Sequence, residues 1–101
     1  MPFLALATDG LVGTYWVEEK ESDALRSCAE RLQKDWKVPE GDEMVINSVE
    51  LPDEYSHFVI NGLKLIVDDK PYDKPFKSYK GKIVDFTNGG LDALIAMRME
   101  D

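Results

Sequence analysis

Two largely apolar runs near the start of the chain, FLALAT and LVGTYWV, flank the dipeptide Asp9-Gly10. Asp-Gly adopts the positive φ angles of a two-residue type I′ turn, so this pattern predicts a β-hairpin. With that turn, Phe3 pairs with Trp16 and Leu4 pairs with Tyr15. Apolar side chains then lie on both faces of the hairpin, which predicts a strand that is buried on both sides.

The next segment, residues 22–36, has the spacing of an amphipathic α-helix. Ser22 is suited to be its N-cap, and Asp23 lies near the positive end of the helix dipole. Glu30 and Lys34 are spaced to pair on the solvent side, and the sequence VPEG ends the helix. The apolar stripe recurs at i, i+3, i+4, i+7 and i+11, and its members are Leu25, Cys28, Ala29, Leu32 and Trp36.

The middle of the chain is rich in β-branched residues and predicts further strands. The sequence EMVINSVEL, residues 43–51, predicts one strand, and HFVINGLKLIVDD predicts a second hairpin with Asn61-Gly62 as its two-residue turn. The sequence KIVDF, residues 82–86, predicts another short strand. One face of the second hairpin is then apolar and consists of Phe58, Ile60, Leu63, Leu65 and Val67.

The C-terminal segment, residues 91–99, fits either a strand or a helix. Alternating apolar residues fit the strand of a third hairpin, whereas the Ala, Leu and Met content favours a helix capped by Thr87 or Asn88. We expect the helix. The whole pattern predicts a single α+β domain over residues 1–101. It has two layers, an antiparallel sheet of five to six strands with one main helix (22–36) packed on it, and a short C-terminal helix.

Charge is distributed unevenly along the sequence. The net charge is −8, but residues 70–82 (KPYDKPFKSYKGK) contain five lysines and one aspartate, so this segment carries +4 and the other 88 residues carry −12. An acidic body of this kind repels phosphate backbones and attracts basic surfaces. Because phosphate neutralisation supplies most of the affinity for nucleic acids, we do not expect nucleic-acid binding through most of the surface.

The cysteine count and the N-terminal segment indicate the cellular compartment in which we expect the protein. Cys28 is the only cysteine, which excludes an intramolecular disulfide and a cysteine-based zinc site. The apolar run that begins at Phe3 follows no basic residue and is too short for a signal peptide or a membrane span. We therefore expect a cytoplasmic protein that has no membrane partner.

Candidate catalytic groups are few. A Cys28–His57 dyad would need the only histidine of the chain and a cysteine that lies on the apolar helical stripe. Transition-metal sites normally require several His or Cys ligands. We therefore expect no catalytic residue, no metal and no cofactor. The carboxylates of residues 40–43 and of Asp68-Asp69 leave one alternative open, a small enzyme or a nucleotide- or cation-binding domain.

Three interpretations of residues 70–82 remain open. In the first, its lysines contact phosphates and its aromatic side chains stack on the bases of a single-stranded nucleic acid. In the second, the prolines hold an extended loop that binds a protein partner through Lys74, Phe76, Lys77 and Tyr79. In the third, which we favour, the aromatic side chains cover the edge of the core and the lysines neutralise acidic residues of the domain itself.

The functional hypothesis that follows is a non-enzymatic binding or inhibitor protein. Its profile is typical of small proteins that occupy another protein, such as immunity proteins, nucleic-acid mimics and phage-encoded inhibitors. The expected partner has a basic surface and handles nucleic acids, and Tyr55 or Trp36 is a candidate aromatic anchor. The acidic contact residues are expected to be Glu40, Asp42, Glu43, Asp53 and Glu54.

Overall fold

A computed structural model of the chain describes residues 1–8, 13–62 and 64–99. Their strands are β1 (Phe3–Thr8), β2 (Gly13–Glu18), β3 (Glu43–Glu50), β4 (Phe58–Asn61), β5 (Lys64–Val67), β6 (Lys70–Pro71) and β7 (Lys77–Lys82). Their helices are α1 (Glu21–Trp36), α2 (Ile83–Asn88) and α3 (Leu91–Met97). Within these ranges no helix combines the length and the apolar character that a membrane crossing needs.

The α+β class, the antiparallel pairing of the strands and the main helix are confirmed, but the structure has two sheets where the sequence predicts one. The described residues form seven strands, slightly more than expected, and they are divided between two sheets. The larger sheet has the order β2-β1-β3-β7, and the smaller sheet has the order β4-β5-β6. Every strand pair in both sheets is antiparallel.

Helix α1 and the small sheet cover opposite faces of the four-stranded sheet. Along β1, Ala5 and Ala7 point towards α1, whereas Leu4 points towards the small sheet. Strand β1 is therefore buried on both sides, as its sequence predicts. The helix-side core consists of Ala5, Ala7, Ala24, Leu25, Cys28, Ala29, Leu32, Ile46, Tyr79, Ile83, Phe86 and Leu94. The small-sheet core consists of Leu4, Val49, Leu51, Leu65 and Val67.

The register of the first hairpin differs from the prediction. Phe3 pairs with Glu18 and Leu4 pairs with Val17, so the predicted partners are wrong by two residues. A shift of two residues leaves every side chain on its original face, which is why the burial pattern is nevertheless correct. The predicted turn at Asp9-Gly10 lies outside the described residues.

The second hairpin shows the same kind of shift. Asn61 pairs with Lys64, so Asn61 ends β4 and is not the first residue of the turn. Gly62 follows it with a φ of +64°, a conformation that glycine adopts without steric cost. Phe58 and Ile60 pack on the small-sheet core with the side chains of β5, as predicted, whereas Leu63 lies outside the described residues.

Helix α1 is confirmed, but its first turn differs from the prediction. The N-cap is Lys20, without a side-chain cap bond, so the prediction of Ser22 as N-cap is wrong. The helix begins early because hydroxyl groups of the sheet bind the carboxylate of Glu21. Asp23 lies in the first turn as expected, and Glu30 lies 3.9 Å from Arg26.

The structure differs from the predictions in three places between residues 70 and 90. Residues 70–82 contain β6 and β7, so they do not form the single extended loop of the second interpretation, and KIVDF is not a strand, because α2 begins at Ile83. The backbone N–H groups of Ile83 and Val84 donate to the carbonyls of Asp42 and Glu40, which fixes the start of α2. Residues 91–97 form a helix as expected, but its N-cap is Gly90 and not Thr87 or Asn88.

Asp68 and Asp69 form the turn between β5 and β6. Their φ angles are +50° and +68°, and the flanking residues Val67 and Lys70 pair, which is the arrangement of a type I′ turn. The carboxylate of Asp68 accepts the backbone N–H groups of His57 and Ser56. These bonds lower the pKa of Asp68, so its contribution to stability is present above its unfolded-state pKa and is lost as the pH falls through the folded-state pKa.

Changing Asp69 to glycine is expected to raise the free energy of unfolding by roughly 0.5–1 kcal/mol, because a left-handed residue with a Cβ is strained. The exposed contact between Asp69 and His57, at 3.1 Å, is a minor loss. The matched change Asp68→Gly removes the acceptor for two N–H groups and is expected to destabilise the chain. Urea unfolding of both variants measures the difference, and equal effects would contradict the assignment of the turn.

Candidate functional site

An open groove of about 680 Å³ lies between the outer strand of the large sheet, β2, and the C-terminal half of α1. We call it the edge groove. Tyr15 and Trp16 are neighbours on a strand, so their side chains point to opposite faces of the sheet. Trp36 is the last residue of α1. The groove is lined by Gly13, Thr14, Tyr15, Trp16, Val17, Arg31, Asp35, Trp36 and Phe58.

Trp16 and its charged neighbours form one wall of the groove. The indole N–H of Trp16 donates to Glu18 Oε2 at 2.7 Å. The guanidinium of Arg31 lies 4.9 Å from the centre of the Trp16 ring and 3.2 Å from the carboxylate of Asp35. The positive charge of Arg31 is therefore balanced by an acid and by a ring face.

Trp36 forms the end of the groove. Its indole N–H donates to Thr14 Oγ1 at 2.6 Å, which ties the end of α1 to β2. The Trp36 side chain is 46% exposed, although the apolar spacing of the helix predicts that it continues the buried stripe. A large aromatic ring that is half exposed and also held by a hydrogen bond is a fixed contact surface.

A row of aromatic side chains extends the groove across the other face of the sheet. Tyr15, which is 52% exposed, meets Phe58 edge-on at a ring distance of 5.8 Å. Tyr55 also meets Phe58 at 5.8 Å. Tyr55, predicted from the sequence as an anchor, is thus continuous with the edge groove through Phe58.

The predicted acidic contact residues lie in two separate places. Residues 40–43 lie at the start of β3, whereas Asp53 and Glu54 follow its end. An eight-residue strand is roughly 26 Å long, so these acids do not form one cluster. Glu43 lies 3.3 Å from Lys80, and Asp53 lies 3.7 Å from the N-terminal amine.

The predicted contact residues of the lysine-rich segment are mostly used by the fold. Tyr79 is only 5% exposed, so the prediction that it contacts a partner is wrong. Phe76 packs on the small-sheet core, and Lys74 lies 3.1 Å from Glu50. Lys77 is exposed on β7. The positions of Phe76 and Tyr79 match the interpretation in which aromatic side chains cover the core.

The Tyr79 ring lies in the helix-side core, and its hydroxyl is part of a polar network beneath α1. Its hydroxyl donates to Glu21 Oε1 at 2.8 Å, and the hydroxyl of Ser48 donates to Glu21 Oε2 at 2.6 Å. Burial and the bond to Glu21 raise the pKa of Tyr79 to about 12. The phenol therefore stays protonated at neutral pH, and the network joins the start of α1 to β3 and β7.

The hypothetical Cys28–His57 dyad does not exist in this fold. Cys28 is fully buried on the sheet-facing side of α1, its thiol donates to the Thr14 carbonyl at 3.6 Å, and burial raises its pKa to about 12. His57 is exposed beside the turn of the small sheet, on the other side of the large sheet. Within residues 1–8, 13–62 and 64–99, no three His, Cys, Asp or Glu side chains form a group that could hold a metal ion.

No protein-family model, curated protein or solved structure matches this chain. Its candidate site is therefore defined by the residues of the edge groove. The sequence predicts Trp36 as an anchor, but it assigns Tyr15, Trp16 and Phe58 only to hairpins. One signal in the sequence is the adjacent pair Tyr15-Trp16, because two large aromatic residues on opposite faces of a strand cannot both be buried unless both faces are covered.

Proposed function

We propose that this chain is a non-enzymatic binding protein that docks on a protein partner with a basic surface, of the kind that nucleic-acid-handling proteins present. The edge groove is the centre of the contact. The observation that carries this proposal is the presence of two half-exposed aromatic side chains, Tyr15 and Trp36, on a fixed strand and helix. Rigid, exposed aromatic residues are the typical anchors of protein interfaces.

The net negative charge of the chain favours partners that have a basic surface. The chain carries a net charge of −8, and the one arginine that lines the groove, Arg31, is already balanced by Asp35. Glu18 lies beside Trp16, and Glu19 is exposed next to it. A negatively charged molecule of this size accelerates its encounter with a basic surface, and this steering weakens as salt screens the charges.

Replacing Tyr15 with serine is expected to weaken partner retention by at least about tenfold, because an interface anchor contributes more than about 1.4 kcal/mol. The wild-type chain and the variant are immobilised side by side, and retention from a lysate of the native host is compared by mass spectrometry at low and high salt. A basic partner that the wild type retains, that the variant releases and that high salt elutes supports the proposal.

Ile95→Ser is the matched control, because Ile95 is a 62% exposed apolar residue on α3, outside the groove. It is expected to leave retention unchanged. Unfolding curves of both variants establish that neither has lost its fold. Equal retention of all basic partners by the wild type and by Tyr15→Ser would disprove the role of the groove, and an affinity independent of salt would disprove the role of charge.

A further inference from the structure

We infer that the partner contributes an extended segment, with basic and apolar residues in alternation, which pairs with β2 as an additional strand of the large sheet. This inference rests on the proposed function and specifies how the edge groove is filled. It follows from three features of the described residues: an edge strand that has no strand on its outer side, two different faces along that strand, and the negative sign of the net charge.

The two edges of the large sheet differ. At one edge, the C-terminal segment covers β7, because Arg98 forms a bridge with Tyr79 and the backbone N–H of Met99 donates to the Ser78 carbonyl at 2.8 Å. At the other edge, β2 pairs with β1 alone among the described strands. An outer strand directs alternate N–H and C=O groups away from the sheet, and these groups form a template for another strand.

The two faces of β2 predict the side chains of the added segment. On the helix side, Trp16 and Glu18 point towards α1, where Asp35 lies. On the opposite side, Tyr15 contacts Phe58, and Val17 packs on the small-sheet core. A strand beside β2 also alternates between these faces. Its basic residues then lie near the carboxylate of Glu18, beside the Trp16 ring that Arg31 covers, and its apolar residues meet Tyr15 and Phe58.

Charge also argues against a second copy of this chain as the occupant. Pairing β2 with its own copy brings together two molecules of net charge −8. It also adds Glu18 and Glu19 of both copies to one interface, to which β2 contributes no basic side chain. A basic segment, by contrast, is attracted to these carboxylates and to the net negative charge of the chain.

The experiment uses a decapeptide of alternating lysine and valine, blocked at both ends, and the indole fluorescence of Trp16 and Trp36 as the readout. Two further peptides are N-methylated, one on every lysine and the other on every valine. Alternate N–H groups of a strand point to the same side. Only one of the two methylated peptides therefore loses its bonds to β2, and we expect its affinity to be at least about tenfold weaker than that of the other.

A tenfold difference between the methylated peptides, together with slower hydrogen exchange of β2 amides in the complex, supports strand addition. Equal affinities of the two peptides overturn it while leaving the edge groove as a contact for basic proteins. Absence of binding by the alternating peptide at millimolar concentration also overturns strand addition. The proposed function is tested separately, by partner retention. A dimer of the chain alone that Tyr15→Ser disperses overturns strand addition as well, by showing that a second copy occupies the edge.

Discussion

Replacing Phe86 with alanine is expected to lower the free energy of unfolding by about 3–5 kcal/mol. Phe86 is fully buried in the helix-side core, on a helix of only six residues. The loss combines the transfer free energy of the ring with the cost of the cavity that it leaves. Since domains are stable by about 5–15 kcal/mol, this single change removes a large share of the total.

Urea titration with constant m-value measures the loss of stability caused by Phe86→Ala. Ile95→Ala is the control, because Ile95 is 62% exposed on α3, and a change there is expected to stay within about 0.5 kcal/mol. A loss below about 1.5 kcal/mol for Phe86→Ala would contradict the burial of α2 against α1.

Replacing Tyr79 with phenylalanine is expected to cost about 1.5–3 kcal/mol at neutral pH, because the carboxylate of Glu21 loses a donor in a partly buried site. The bond from Ser48 to the same carboxylate remains. The change removes one oxygen and creates almost no cavity, so the loss reports the hydrogen bond. Tyr72→Phe is the matched control, since its hydroxyl donates to the neutral carbonyl of Glu50 at 2.6 Å, and we expect a smaller loss of about 0.5–1.5 kcal/mol.

The raised pKa of Tyr79 predicts how the stability of the chain changes in alkaline solution. Its folded-state pKa of about 12 lies above the unfolded value of about 10. The protonated phenol therefore contributes stability that is complete below about pH 10 and is lost as the pH rises through about 12. The difference between the phenolate absorbance of the wild type and of Tyr79→Phe gives the midpoint for Tyr79. A midpoint near 10 would contradict the buried network.

The sequence predicts those elements whose side-chain period is unambiguous. The stripe from Leu25 to Leu32 specifies α1, and the β-branched residues after Glu43 specify β3. The hairpin registers could not be obtained in this way, because a shift of two residues preserves which face every side chain occupies. They depend on distant partners, such as the pairing of Leu4 with Val49 in β3.

The error at residues 82–86 has a similar cause. A run of five residues fits both a strand and a helical turn, and the choice depends on the carbonyls of Asp42 and Glu40, some forty residues earlier in the chain. For Tyr79 the sequence leaves two roles open, contact with a partner and cover for the edge of the core. On β7, however, alternate residues change face, and Tyr79 lies opposite the buried Ile46.

The candidate site was the least predictable part of the molecule. Its aromatic residues come from positions 15, 16, 36 and 58, and only the topology of the two sheets and α1 brings them together. The sequence identified Trp36 and Tyr55 individually but gave no reason to connect them. The reverse holds for the acids, since residues 40–43 and 53–54 are close in sequence but β3 holds them apart.

The position of β1 in the middle of the large sheet has a consequence for synthesis. Leu4 leaves the ribosome forty-five residues before its β3 neighbour, Val49. Throughout that interval the nascent segment FLALA has no partner on one side and remains a target for chaperones and for other nascent chains. Slower translation before residue 43 is therefore expected to increase aggregation, whereas slower translation after residue 50 is not.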